Sequence, residues 1–217
     1  MEPSIAPNFE SKFNAMKKIP AILILTLAFV FAATMISAQA SFKLVKYEMS
    51  ISGTSTLHDW TSSVNEVSGS GALEFADGKL KGISSLEITV PVKSIKSTKG
   101  KVMDNKTYGA LKSDEFPNIK FQLSKVLSIT ETKTGCTVKV NGYLTIAGTK
   151  KWVELTATGT YVGSNGIRFV GSKAINMKDY NMEPPTALMG TLHTGEEVTI
   201  AFSVTMETDK SSTVSNH

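Results

Sequence analysis

Val198-Thr199-Ile200-Ala201-Phe202-Ser203-Val204-Thr205-Met206 alternates, without a break, between bulky apolar residues and small or polar ones. A two-residue period puts Val198, Ile200, Phe202, Val204 and Met206 on one face of an extended chain. Thr199, Ala201, Ser203 and Thr205 fall on the other. The β-branched and aromatic content suits a pleated, half-buried surface. The stretch reads as a strand with one buried and one wet face, as in an antiparallel sheet with water on one side.

The same period recurs upstream. Leu86, Ile88, Val90 and Val92 alternate with Glu87, Thr89 and Pro91. Ile119, Phe121 and Leu123 alternate with Lys120, Gln122 and Ser124, and Val153, Leu155 and Ala157 with Glu154, Thr156 and Thr158. Leu144 and Ile146 continue a face begun by Cys136, Val138 and Val140. Further strands are expected at 43–51, around 57–67, at 71–75 and at 166–174. Turn residues punctuate them: Asp77-Gly78, Thr134-Gly135, Ala147-Gly148 and Gly163-Ser164-Asn165-Gly166. Only Lys101–Lys112 reads as a helix, and Asp179–Gly190 is irregular because it carries Pro184-Pro185. About eight one-faced strands with short turns must close or double up to bury their apolar faces. The fold class is therefore all-β, an antiparallel barrel or a sandwich. A barrel of about eight strands either fills with side chains or holds one small ligand.

With 217 residues, 41% of them hydrophobic, the chain suits one globular domain. Its formal charge of +4 comes from scattered lysines, and Arg168 is the only arginine, which argues against nucleic acid as a partner. Met16-Lys17-Lys18, the apolar run from Ile19 to Ile36 and Ala38-Gln39-Ala40 together read as a secretory signal peptide starting at Met16 and cut after Ala40. The expected organisation is a leader over 1–40, one barrel domain over 41–208 and a disordered tail over 209–217. The mature protein would be periplasmic or secreted, with no membrane span once the leader is removed. Cys136 is the only cysteine, so no internal disulfide forms, and its parity with Val138 points it inward.

Ser55-Thr56-Leu57-His58-Asp59-Trp60 gathers a serine, a histidine and an aspartate. Read as a strand, it sends His58 and Trp60 to one side and Asp59 to the other, so these neighbours cannot relay protons among themselves. No Gly-x-Ser-x-Gly elbow and no His-x-x-x-His or Cys-x-x-Cys pair is present, which leaves neither a nucleophile nor a metal or other cofactor to expect. His58 and Trp60 read as core and hydrogen-bonded neighbours, or as lining of a ligand pocket.

Ordered blocks from about Tyr47 to Met206 resemble the YceI-like family, exported bacterial proteins with a lipocalin-like barrel. The blocks are Gly53–Trp60, Val90–Ile95, Met103-Asp104, Phe116–Phe121, Val140–Lys151 and Asp179-Tyr180 leading to Glu197–Ile200. The chain departs from the family's Arg-Asp-x-His-Leu pattern, with Met103 at the arginine, Asp104 kept and Lys106 at the histidine. The resemblance implies a polyisoprenoid or other long apolar lipid inside the barrel, in a carrier or storage role and not an enzyme's. Candidate lining residues are Leu86, Ile88, Val90, Phe121, Leu144, Ile146 and Phe202, with His58 and Trp60. Lys99, Lys101 and Lys106, between a strand and the helix, are candidate contacts for an anionic head. A ligand-free structural or stress-protective protein, or a small lipid-directed hydrolase or isomerase, are the alternatives. The oligomeric state stays open, a homodimer among the choices.

Overall fold

The computed structural model describes residues 40–163, 166–187 and 191–208. The leader, the Ser164-Asn165 turn and the tail expected from the sequence lie outside them. Eleven strands follow one another: β1 (Ala40–Ser55), β2 (Trp60–Val64), β3 (Ser68–Ala76), β4 (Lys79–Pro91), β5 (Ile95–Ser97), β6 (Asn118–Glu131), β7 (Gly135–Ile146), β8 (Thr149–Val162), β9 (Gly166–Asn176), β10 (Thr186–Ala187) and β11 (Leu192–Thr208). Among the described residues the one α-helix, α1, spans Lys101–Ala110, and short 3-10 turns occupy Val92–Ser94 and Met177–Tyr180.

Eight of the strands close an antiparallel ring in the order β1, β11, β9, β8, β7, β6, β4, β3. The pairing of β1 with β11, from Phe42↔Thr208 to Ser55↔Thr194, shuts the ring and decides for a barrel over a sandwich. The alternation that marks β11 in the sequence fits this closure, since every strand must show one face to the lumen. β1 serves two neighbours on its other edge: Ala40–Lys43 pair with β3, and Ser50–Gly53 pair with β2, which in turn pairs with β5. The β2–β5 ribbon and α1 thus complete the wall at the end where β1 has left β3.

Two hairpins turn on two-residue loops with positive φ at both positions, Asp77-Gly78 (53° and 71°) and Ala147-Gly148 (46° and 76°). These are the primed turns whose twist matches the flanking strands. Gly148 is doubly constrained, because a Cβ there would lie 2.5 Å from the Phe116 ring.

The end of the barrel near Met206 is packed solid. Phe42 stacks on Phe75 at 5.5 Å, and Phe75 meets Tyr161 edge-on at 6.2 Å. The Tyr161 hydroxyl accepts the Leu80 N–H at 3.0 Å and donates to Glu131. Leu73, Leu80, Cys136, Ile167 and Met206 are almost wholly buried beneath it. Cys136 points inward, as its parity requires. Burial is the main reason its thiol pKa lies above the ordinary value, so little reactive thiolate forms.

Two expectations need correction. The strand expected around 57–67 starts only at Trp60, and Leu57, His58 and Asp59 form a loop. The Ser55 hydroxyl causes this: it accepts the N–H groups of Leu57 and His58 and donates to the His58 carbonyl at 2.7 Å. That local turn outcompetes ladder bonds. The helix expected over Lys101–Lys112 ends at Ala110, and Lys112 takes a left-handed φ of 50° in the following turn.

Candidate functional site: a two-chambered lumen

Below the packed end the lumen opens into two adjoining chambers, each with a cavity volume of about 140 Å³. Ile119 of β6 and Ile200 of β11 line both and mark the waist between them. Each chamber has room for on the order of ten water-sized spheres, on the roughly 10–15 Å³ that one requires. From Thr194 to Met206, the lumen face of β11 follows about 40 Å of strand, or about 30 Å along an axis tilted by about 40°.

The upper chamber is a sleeve of inward strand residues. Leu86, Ile88 and Val90 come from β4, Phe121 from β6, Leu144 from β7 and Phe202 from β11, all residues expected there from parity. Met49, Val138, Leu155, Phe169 and Val204 complete it, and every lining residue but Lys173 is apolar.

The lower chamber is built differently. Ile146, Ile175 and Val198 carry the apolar wall down, while Ser55, His58, Ser97, Lys99, Lys106 and Thr194 add polar groups. Trp60 lies against Gly53, where a Cβ would be 2.7 Å from its ring, and donates its indole N–H to the Thr54 carbonyl at 3.0 Å. His58 Nδ1 sits 2.9 Å from the Asp59 carbonyl. A carbonyl only accepts, so Nδ1 carries the proton and Nε2 of the neutral ring is left as an acceptor.

Helix α1 closes this end. Asp104, although a carboxylate, is 7% exposed. It accepts the Ser97 N–H at 2.7 Å and lies 3.9 Å from Lys96. The Tyr108 hydroxyl donates to the carbonyls of Lys93 and Ile95 and accepts from Lys96 at 2.6 Å. That bond is the chief reason the Lys96 pKa is raised. Lys106 reaches across to the Thr186 carbonyl at 2.5 Å, tying the helix to the segment before β11. Lys93 pairs with Asp114 at 3.0 Å.

A family profile for the YceI-like domain matches residues 41–206. The chain belongs to the YceI-like family. Among solved structures, this YceI-like barrel is similar to Burkholderia cenocepacia BcnA, at 19% identity and a TM-score of 0.58 over 73% of this chain and 95% of that one. It is also similar to a polyisoprenoid-binding domain from Saccharophagus degradans, implicated in plant cell wall breakdown. There the identity is 13% and the TM-score 0.61, over 79% of this chain and 100% of that one. A variant of the Campylobacter jejuni YceI protein with a monobromobimane guest matches at 20% identity and a TM-score of 0.50, over 67% of this chain and 85% of that one. At these identities the likeness is one of fold. No curated protein sequence matches significantly.

The structure therefore distributes the candidate residues. Leu86, Ile88, Val90, Phe121, Leu144 and Phe202 gather in the upper chamber; His58, Trp60, Ile146, Lys99 and Lys106 gather in the lower. Lys101 joins neither, being the exposed first residue of α1. Met103, Thr107, Met177, Met182 and Pro185 line the lower chamber without having been expected, since helix, turn and loop residues carry no two-residue period. Lys173 was missed although the signal was there: it shares its parity on β9 with Ile167, Phe169 and Ile175. Among the described residues no group of three or more His, Cys, Asp or Glu is placed to hold a metal, and no helix is long and apolar enough to cross a membrane.

Proposed function

We propose that this YceI-like protein is an exported carrier of a long-chain apolar lipid of the polyisoprenoid class. The tail lies in the upper chamber, and the polar head lies among His58, Lys99 and Lys106 at the lower mouth. The observation that carries this reading is an apolar sleeve, closed at one end, that adjoins at its waist a chamber with a polar rim. Polarity graded along one lumen fits an amphiphile in one orientation. Each buried CH₂ contributes about 0.8 kcal/mol, so roughly ten carbons supply about 8 kcal/mol toward the cost of association. His58 Nε2 suits the hydroxyl of an isoprenol, and the lysines suit a phosphorylated head. The similarity to a polyisoprenoid-binding domain supports the ligand class, and the Lys17-Lys18, apolar run and Ala38-x-Ala40 pattern supports export.

Purified exported protein, extracted with organic solvent and analysed by mass spectrometry, should release such a lipid, and its intact mass should begin at Ser41. Ala157→Phe, which projects a ring into the upper chamber, should abolish uptake of added isoprenol at little cost in melting temperature. No lipid, no uptake and a sharply destabilised Ala157→Phe protein would instead favour a ligand-free structural role with a packed interior.

A further inference from the structure

The hydrogen-bonded ladder does not run unbroken all the way round the barrel. β8 and β9 pair only between Ala157↔Gly171 and Val162↔Gly166. Below that, residues 149–156 of β8 pair with β7 alone and residues 172–176 of β9 with β11 alone. A seam runs between the two strands. At its upper end a Cβ on Gly171 would stand 2.7 Å from the Phe202 ring and 2.8 Å from the Thr156 carbonyl. At its lower end Asn181 Nδ2 donates to Thr149 Oγ1 at 3.0 Å.

Lys173 stands on this seam. It occupies an inward position of β9, in register with Ile200 at the waist, and continuing the β8–β9 register would set it opposite Leu155. It is the one charged residue lining the upper chamber, which it lines with its methylene stem, the ammonium being turned away from the apolar space. It is half-buried, and no hydrogen bond or ion pair engages its side chain among the described residues. An ammonium on an apolar wall is tolerated because its four-carbon stem lets it reach water through the seam. With no counter-charge of its own, it is the complement of an anion carried on an apolar chain.

From Ile200 to Met206 the upper chamber follows about 20 Å of strand, or about 16 Å along the axis. That is the extended length of about 13 carbons joined by bonds of about 1.5 Å. We propose that Lys173 and the seam form a second polar subsite, which takes the carboxylate of a long-chain fatty acid whose tail fills the upper chamber alone. The inference rests on reading the lumen as a lipid site. It adds a ligand class that sits higher in the barrel than an isoprenoid spanning both chambers.

Calorimetric titration with myristate and with 1-tetradecanol, each below its aggregation concentration, tests it. The wild-type protein should bind myristate at least about tenfold more tightly than the alcohol. Lys173→Met should erase that preference by weakening the binding of myristate at least about tenfold. Lys173→Arg should retain it, as should Lys99→Met/Lys106→Met. Equal wild-type affinities, a preference surviving in a folded Lys173→Met protein, or one lost only in the Lys99→Met/Lys106→Met protein would each overturn the assignment. Binding of an isoprenol without a myristate preference would sink the Lys173 subsite alone. Failure of all three lipids to bind would sink the lumen reading beneath it.

Discussion

At the scale of single residues, the deciding contacts are short-range and escape any periodic pattern. Trp60 and His58 were expected side by side on one strand face, and both do line the lower chamber. They reach it by different routes, Trp60 from the first position of β2 and His58 from a loop folded around the Ser55 hydroxyl. A two-residue period reports a strand's faces but not a hydroxyl that captures the neighbouring backbone, so the residues were legible and their geometry was not. Tyr180 carries a consequence of burial. Desolvation, with the nearby Asp179 carboxylate adding to it, pushes its phenol up to about 12. In an unfolded chain tyrosine ionises near pH 10, as a rough reference. Above that value the unfolded state loses a proton that the folded state keeps. The contribution of Tyr180 to stability is therefore complete below about pH 10 and is lost as pH rises through about 12. Tyr180→Phe should flatten the fall in melting temperature over that window. A fall as steep as the wild type's would assign it to other groups.

Among the elements, strands and helix differ in how far the sequence reveals their work. Leu86, Ile88, Phe121, Leu144 and Phe202 could be assigned to a lumen because the barrel obliges each strand to alternate. The floor of the lower chamber could not, since Met103 and Thr107 project from a helix with one weakly apolar face, and Met177, Met182 and Pro185 come from turns. What seats α1 is polar. Asp104 satisfies the Ser97 N–H, and Tyr108 satisfies two carbonyls before β5 and within it. Removing a charged acceptor from a nearly buried position leaves the opposing N–H unpaired, at a cost of about 1–3 kcal/mol. Asp104→Ala should lose that much stability in urea titrations. It should also raise hydrogen exchange in α1 while leaving exchange in β7 and β8 as it was. A uniform rise across the barrel would mean that the helix is not an independently hinged cap.

Across the whole molecule, the lumen has a blind end and a helix-capped mouth, and nothing in the linear sequence announces where one gives way to the other. The blind end comes from the meeting of Phe42, Phe75 and Tyr161, which lie on three different strands, and the mouth from β1 leaving β3 to pair with β2. Both depend on which strand lies beside which, and alternation carries no such information. The seam between β8 and β9 adds a topological consequence. A seamless tube would oblige its cargo to thread in end first, so branched or looped molecules could not be loaded and exchange would slow with every added carbon. A split wall has no such rule, because a chain can be laid in sideways. Asn181, left-handed at φ 53° and bonded to Thr149, is the stitch that keeps the split from running into the mouth. Asn181→Gly keeps that backbone conformation and cuts the stitch. It should speed loading and release of a long isoprenol together, several-fold, and leave the equilibrium affinity nearly unchanged. Unaltered rates in stopped-flow exchange would mean that cargo is threaded after all, and that this barrel behaves as a sheath and not as a purse.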